Sequence, residues 1–172
     1  MTQNKTTRRL VQAGLIAALY TVLSLAFAPL SFGAVQCRVA EALTVLAAEI
    51  PAAIPGLAVG CAVTNLIGLG TGGNILGALD LLIGPLATLA AAWLSYRWRG
   101  RRIGGTPVLS TLPPVVLNAL AVGTELALVS PRFSVAVWGI QVALVAAGQA
   151  VACIGGGLLL DRAWRSFGGK LD

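Results

Sequence analysis

Basic residues and long apolar runs are kept apart along this chain, and that separation limits what it can fold into. Ten of the twelve Lys and Arg residues lie in three clusters. Lys5, Arg8 and Arg9 precede the first apolar run, Arg97, Arg99, Arg101 and Arg102 lie between the fourth and fifth, and Arg162, Arg165 and Lys170 follow the last. Only Arg38 and Arg132 stand elsewhere. Four acids, Glu41, Glu49, Asp80 and Glu125, sit inside the apolar runs instead. An ionisable group at membrane depth is costly and marks a functional position by default.

Composition agrees. The chain is 57% hydrophobic and 10% charged, where a soluble domain carries about 25% charged residues. A membrane-spanning helix takes roughly 20 apolar residues, so 172 residues allow about six spans and no soluble domain beside them. We expect a single integral-membrane domain over 1–172, all-α, with six transmembrane helices. They are placed at Leu10–Ala28, Val39–Ile50 (short, before Pro51), Ala53–Leu69, Leu76–Trp98, Leu109–Val129 and Val135–Arg162, with a Gly-rich loop at Gly70-Thr71-Gly72-Gly73-Asn74. Leu10 to Leu30 is span-length without a cleavage site and reads as a span rather than a signal. Positively charged loops face the cytoplasm. With both termini cytoplasmic, all three basic clusters fall inside, which an odd number of spans would spoil. Trp93, Tyr96 and Trp98 then form an aromatic belt at the inner end of the fourth helix.

Several chemistries are excluded. There is no histidine, hence no Ser-His-Asp triad and no His-ligated metal. There is no GxxxxGK[ST] pattern, so the chain does not hydrolyse ATP through a P-loop. Cys37, Cys61 and Cys153 are odd in number and far apart, giving neither a metal spacing nor a disulfide framework. Basic residues beside apolar runs are a topology signal, not a nucleic-acid one. No enzyme activity and no cofactor in this chain are expected.

The polar residues inside the spans share a depth in this topology. Glu41, Asn65, Asp80, Glu125 and Gln141 fall in the outer third of five helices, and Gln36 and Arg38 lie at the start of the second. Asn118 is deeper, a pocket wall or a helix–helix hydrogen bond. Polar side chains in a bundle face its interior or water, so these residues are the candidate lining of a cavity open to the outside. Arg38 and Glu41 stand at i, i+3 and could pair with each other. Glu49, near the inner end of its helix, reads as interfacial. Carboxylates accept paired N–H donors well, which suits a small polar or cationic solute such as a guanine-like face or an amidine. On the first helix, Ala13, Gly14, Ala17 and Ala18 form small pairs at a spacing of four, which lets a helix approach closely, either within the bundle or from a partner.

The stretches Phe27-Ala28-Pro29-Leu30-Ser31-Phe32-Gly33, Val35-Gln36-Cys37-Arg38-Val39-Ala40-Glu41-Ala42-Leu43, Leu79-Asp80-Leu81-Leu82-Ile83-Gly84 and Leu112-Pro113-Pro114-Val115-Val116-Leu117-Asn118-Ala119 resemble the QueT family, the queuosine-precursor S-components of energy-coupling-factor (ECF) transporters. The resemblance implies an S-component bundle of six helices in the cell membrane, with a ligand site near the outer face closed by the first loop. It implies a 7-deazaguanine ligand such as preQ0, preQ1 or queuine. It also implies docking of the small-residue strip, Ala13 and Ala17 with Gly14 and Ala18, on a transmembrane coupling subunit driven by two cytoplasmic ATPases. The alternatives are an S-component for another small vitamin or nucleobase, and a structural membrane subunit.

Overall fold

The computed structural model describes residues 3–33 and 36–168. Ala34 and Val35, within the resembling stretch, and Lys170 of the third basic cluster lie outside the described residues. Six principal helices carry the fold: α1 (Gln3–Ala26), α2 (Val39–Ala48), α3 (Ala53–Gly70), α4 (Ile83–Arg97), α5 (Leu112–Val129) and α6 (Val135–Ser166). No strand occurs among the described residues; one isolated bridge joins Ile103 and Thr106. Five of the six helices, with short flanking turns for two of them, are long and apolar enough to cross a membrane.

The sixth, α2, is shorter and lies at the centre, touching α1, α3, α4 and α6. It is a 3₁₀ helix of 10 residues, of which all but Val39 and Ala42 are buried. At ~2.0 Å rise per residue it reaches ~20 Å, where an α-helix of that length reaches ~15 Å. The sequence places it correctly but gives no sign of its winding.

Small residues set the packing around this centre. A Cβ on Gly56 would stand 2.7 Å from the Ala13 carbonyl oxygen, and one on Gly60 2.8 Å from Tyr20 Cβ and 2.9 Å from the Ala17 carbonyl oxygen. Thus α1 and α3 cross with their backbones nearly in contact. Gly123 packs equally closely on Val142 between α5 and α6. The last helix is continuous but passes through a π-helical segment at Val151–Gly156, where Gly156 faces Ala42 of α2.

Several boundaries differ from expectation, α1 beginning at Gln3 rather than Leu10 among them, and two of the differences have a local cause. Proline is accommodated in the first turn of a helix, and Pro29 opens a short separate helix, Ala28–Phe32, after α1 has ended at Ala26. The fourth helix begins at Ile83 rather than Leu76. There the Asn74 side chain accepts a hydrogen bond from the Leu76 amide (3.0 Å), a local turn that competes with a helix. Gly77 then adopts φ +64°, a conformation that a helix cannot continue through.

The three basic clusters meet at one end of the bundle. Lys5, Arg8 and Arg9 line a cleft with Ile50, Pro51 and Ala52 just after α2. From the α4–α5 connection, Arg102 pairs with Glu49. From the end of α6, Arg165 reaches Glu49 at 3.5 Å and Asp161 at 2.9 Å. Glu49 is therefore an anchor for two basic residues, consistent with its reading as an interfacial group.

Candidate functional site

Eight residues up from Glu49, ~16 Å along the 3₁₀ axis, Glu41 is wholly buried in the middle of the bundle. Its Oε1 accepts hydrogen bonds from the Tyr20 hydroxyl of α1 (2.6 Å) and the Thr88 hydroxyl of α4 (3.0 Å). Its Oε2 has no partner. Asn118 of α5 stands close enough to interact with this carboxylate, yet its Nδ2 forms no hydrogen bond. From α6, Cys153 Sγ lies 3.7 Å from the Glu41 carbonyl oxygen and 3.5 Å from Gln149 Oε1. Three helices thus reach one carboxylate and a fourth its main-chain carbonyl, with one carboxylate oxygen held and the other unpartnered.

Arg38 does not pair with Glu41. Its guanidinium forms a buried ion pair with Asp80, and its remaining nitrogens reach Cys61 Sγ (3.3 Å) and the Ser31 carbonyl oxygen (3.5 Å). Asp80 also accepts from Asn74 Nδ2 (3.0 Å), and its carbonyl oxygen accepts from Asn65 Nδ2 (2.5 Å). The i, i+3 spacing made Glu41 the nearer partner along the chain. The fold instead brings in Asp80 from 42 residues away, because α2 turns the start of its own helix toward the loop before α4. This network ties the first connection to the Gly-rich loop. It is packed against Gly84, where a Cβ would collide with Asp80 Oδ1 and lie 2.6 Å from Asn65 Nδ2.

Glu125 of α5 is 1% exposed, lies within electrostatic range of Asp80 and Arg38, and has no hydrogen-bond partner on either oxygen. It follows Asn118 by seven residues, so the two share a face of α5 about 10 Å apart along the axis. Gln36 is fully buried with its side-chain oxygen and nitrogen both unpartnered. Its backbone is pressed onto α6, where a Cβ on Gly148 would stand 2.6 Å from the Gln36 carbonyl oxygen. Gln141 of α6 is half-buried, with its Oε1 buried and unpartnered.

Of the residues singled out from sequence, Gln36, Arg38, Glu41, Asn65, Asp80, Asn118 and Glu125 are therefore buried within the bundle, and Gln141 is half-buried. Tyr20, Thr88 and Gln149 were missed. Gln149 carried the same signal as Gln141, an amide in an apolar span, and Tyr20 and Thr88 read as ordinary packing residues. Buried polar groups are normally hydrogen-bonded, and an unpaired one costs about 1–3 kcal/mol. Here Gln36, Glu41 Oε2, Asn65 Oδ1, Asp80 Oδ1, Asn118 Nδ2 and Glu125 all lack partners, as do several hydroxyls elsewhere in the bundle, Ser24, Thr64 and Ser95 among them. They can accept and donate hydrogen bonds to a polar solute that reaches this depth.

The small-residue strip of α1 divides. Ala13 and Ala17 rest on α3, while Gly14 and Ala18 are exposed. Ala13, Gly14 and Ala17, with Leu10, Gly56 and Val59, line an open groove of about 620 Å³ between α1 and α3.

The family model of the QueT transporter matches residues 10–163. Neither a curated protein nor a solved structure gives a match.

Proposed function

The chain belongs to the QueT transporter family, and from that membership and the surroundings of Glu41 we propose that it is the substrate-binding membrane subunit of an ECF importer, taking up a 7-deazaguanine precursor of queuosine. The observation that carries the reading is the group of buried, unpartnered polar atoms gathered around a carboxylate that is itself fixed on one side only. Glu41 Oε1 is held by Tyr20 and Thr88, so Oε2 is presented as an acceptor of fixed direction. A guanine-type edge offers adjacent N–H donors to such an acceptor, and bonds to an ionised carboxylate are the strong ones. The amides of Asn118 and Gln36 complete the recognition. Arg38, Asp80 and Asn65 form the wall, holding the first connection and the Gly-rich loop together over the ligand.

In this reading α2 completes six passes, and the end carrying the basic clusters faces the cytoplasm, so the termini are cytoplasmic and the site opens outward. The groove on α1 and α3 receives the transmembrane coupling subunit. Two cytoplasmic ATPases supply the energy that this chain has no P-loop to harvest.

The test is a thermal-stability titration of the purified protein with queuine, 7-aminomethyl-7-deazaguanine and 7-cyano-7-deazaguanine, with guanosine as control. A ligand that binds only the folded state stabilises it by about 2.7 kcal/mol at 100 times its Kd. Stabilisation by at least one 7-deazaguanine and not by guanosine is expected. No shift with any of them removes the substrate assignment.

A further inference from the structure

The site holds more carboxyl groups than bases. Glu41, Asp80 and Glu125 bring three carboxylates to one region of the bundle, and Arg38 brings the one cation among the described residues there. Three acids against one base leave a formal balance of −2. The four charges are not equivalent. Arg38 and Asp80 cancel in a buried pair. Glu41 keeps two neutral donors on Oε1. Glu125 has nothing on either oxygen and is 1% exposed. The hydrogen bonds of Arg38 run to Asp80, Cys61 and Ser31 and none runs to Glu125. A buried carboxyl without a partner is disfavoured in its charged form, and a counter-charge arriving with the ligand favours that form.

We propose that Glu125 is the subsite for a protonated amine on the ligand, so that the protein selects a flat, donor-rich heterocycle bearing a cationic arm over the same heterocycle with a neutral substituent. Glu41 takes the donor edge and Glu125 the ammonium. Asn118 and Glu125, about 10 Å apart along α5, set the two subsites at a spacing that a fused bicycle with a one-carbon arm can bridge. This inference rests on the substrate class proposed above and specifies which member of it binds.

The experiment compares 7-aminomethyl-7-deazaguanine, which carries the cation, with 7-cyano-7-deazaguanine, which does not. Each is titrated calorimetrically into the wild-type protein, E125Q and E125D. The wild type is expected to favour the aminomethyl compound by at least about tenfold, the size of one charge-assisted contact. E125Q loses affinity chiefly for the aminomethyl compound, so that the two probes become comparable. E125D, which keeps the charge, retains the preference and serves as the reference should E125Q bind neither probe. Equal wild-type affinities, or a preference that survives in E125Q, overturns the cation subsite and leaves the substrate class standing. Failure of both probes to bind the wild type overturns the substrate class itself and the subsite with it.

Discussion

Replacing Tyr20 with Phe removes one oxygen atom and leaves the packing unchanged, which makes it a clean probe of how Glu41 is presented. Tyr20 is fully buried, as is Glu41, and the hydroxyl donates to Glu41 Oε1 at 2.6 Å. A hydrogen bond to a charged group contributes about 1.5–3 kcal/mol net. With burial this complete, no water takes the place of the lost donor, so the stability cost lies within that range. Thr88, at 3.0 Å, remains as the sole donor to Oε1 and no longer fixes the carboxylate plane. The part of the lost energy that was orienting Oε2 then emerges as weaker binding, with an upper bound of roughly 10- to 150-fold. Calorimetric titration with a 7-deazaguanine measures the affinity, and thermal unfolding of the apo-protein measures the stability. Adding Thr88→Val should cost more than the sum of the two single changes, since the donors share one acceptor and each partly covers for the other. If Y20F binds as tightly as the wild type and melts at the same temperature, Tyr20 is a packing residue and the orientation argument for Glu41 is wrong.

Gly84→Ala should destabilise the protein by about 1–3 kcal/mol as an overpacked site, because the new Cβ displaces Asp80 and Asn65; thermal unfolding checks this, and an unchanged melting temperature would mean the Arg38–Asp80 network tolerates movement. Gly148→Ala drives a methyl toward the Gln36 carbonyl oxygen and Cys37, so ligand affinity is expected to fall with little change in helix content, read by titration and circular dichroism. Arg102→Gln leaves Glu49 to Arg165 alone; that pair is half-exposed, so a loss of no more than about 1 kcal/mol is expected, with ligand affinity unaltered. A bulky side chain at Gly14, which has open space around its Cβ position, should fill the α1–α3 groove and block assembly with the coupling subunit while sparing ligand binding; co-purification of an intact complex would remove the groove from the docking surface.

Much of the architecture is legible in the sequence because membrane helices are written in long, simple signals. The Ala53–Leu69 run anticipates α3, observed as Ala53–Gly70, and the three basic clusters mark the end of the bundle at which they meet. The start of α4 is not legible from hydropathy, because Leu76 to Leu82 is as apolar as a helix; a turn at Asn74 and a positive φ at Gly77 decide it. At the site, sequence identifies the acids and amides, which stand out against apolar neighbours, but not who meets whom. Arg38 finds Asp80 rather than Glu41 because the pairing depends on how α2 sits between four other helices, and no local spacing encodes that. Tyr20 is invisible for a related reason: a tyrosine in an apolar helix looks like packing until a carboxylate from another helix is found 2.6 Å from its hydroxyl. The 3₁₀ winding of α2 and the π segment of α6 likewise leave no mark in composition.

The most direct measurement is an experimental structure of the protein with a bound 7-deazaguanine. The donor edge of the heterocycle is expected against Glu41 Oε2, with Asn118 beside it and Glu125 at the far end of the ligand. A ligand bound elsewhere, with Glu41, Asn118 and Glu125 still buried and untouched, would contradict the assignment of these residues as the binding site.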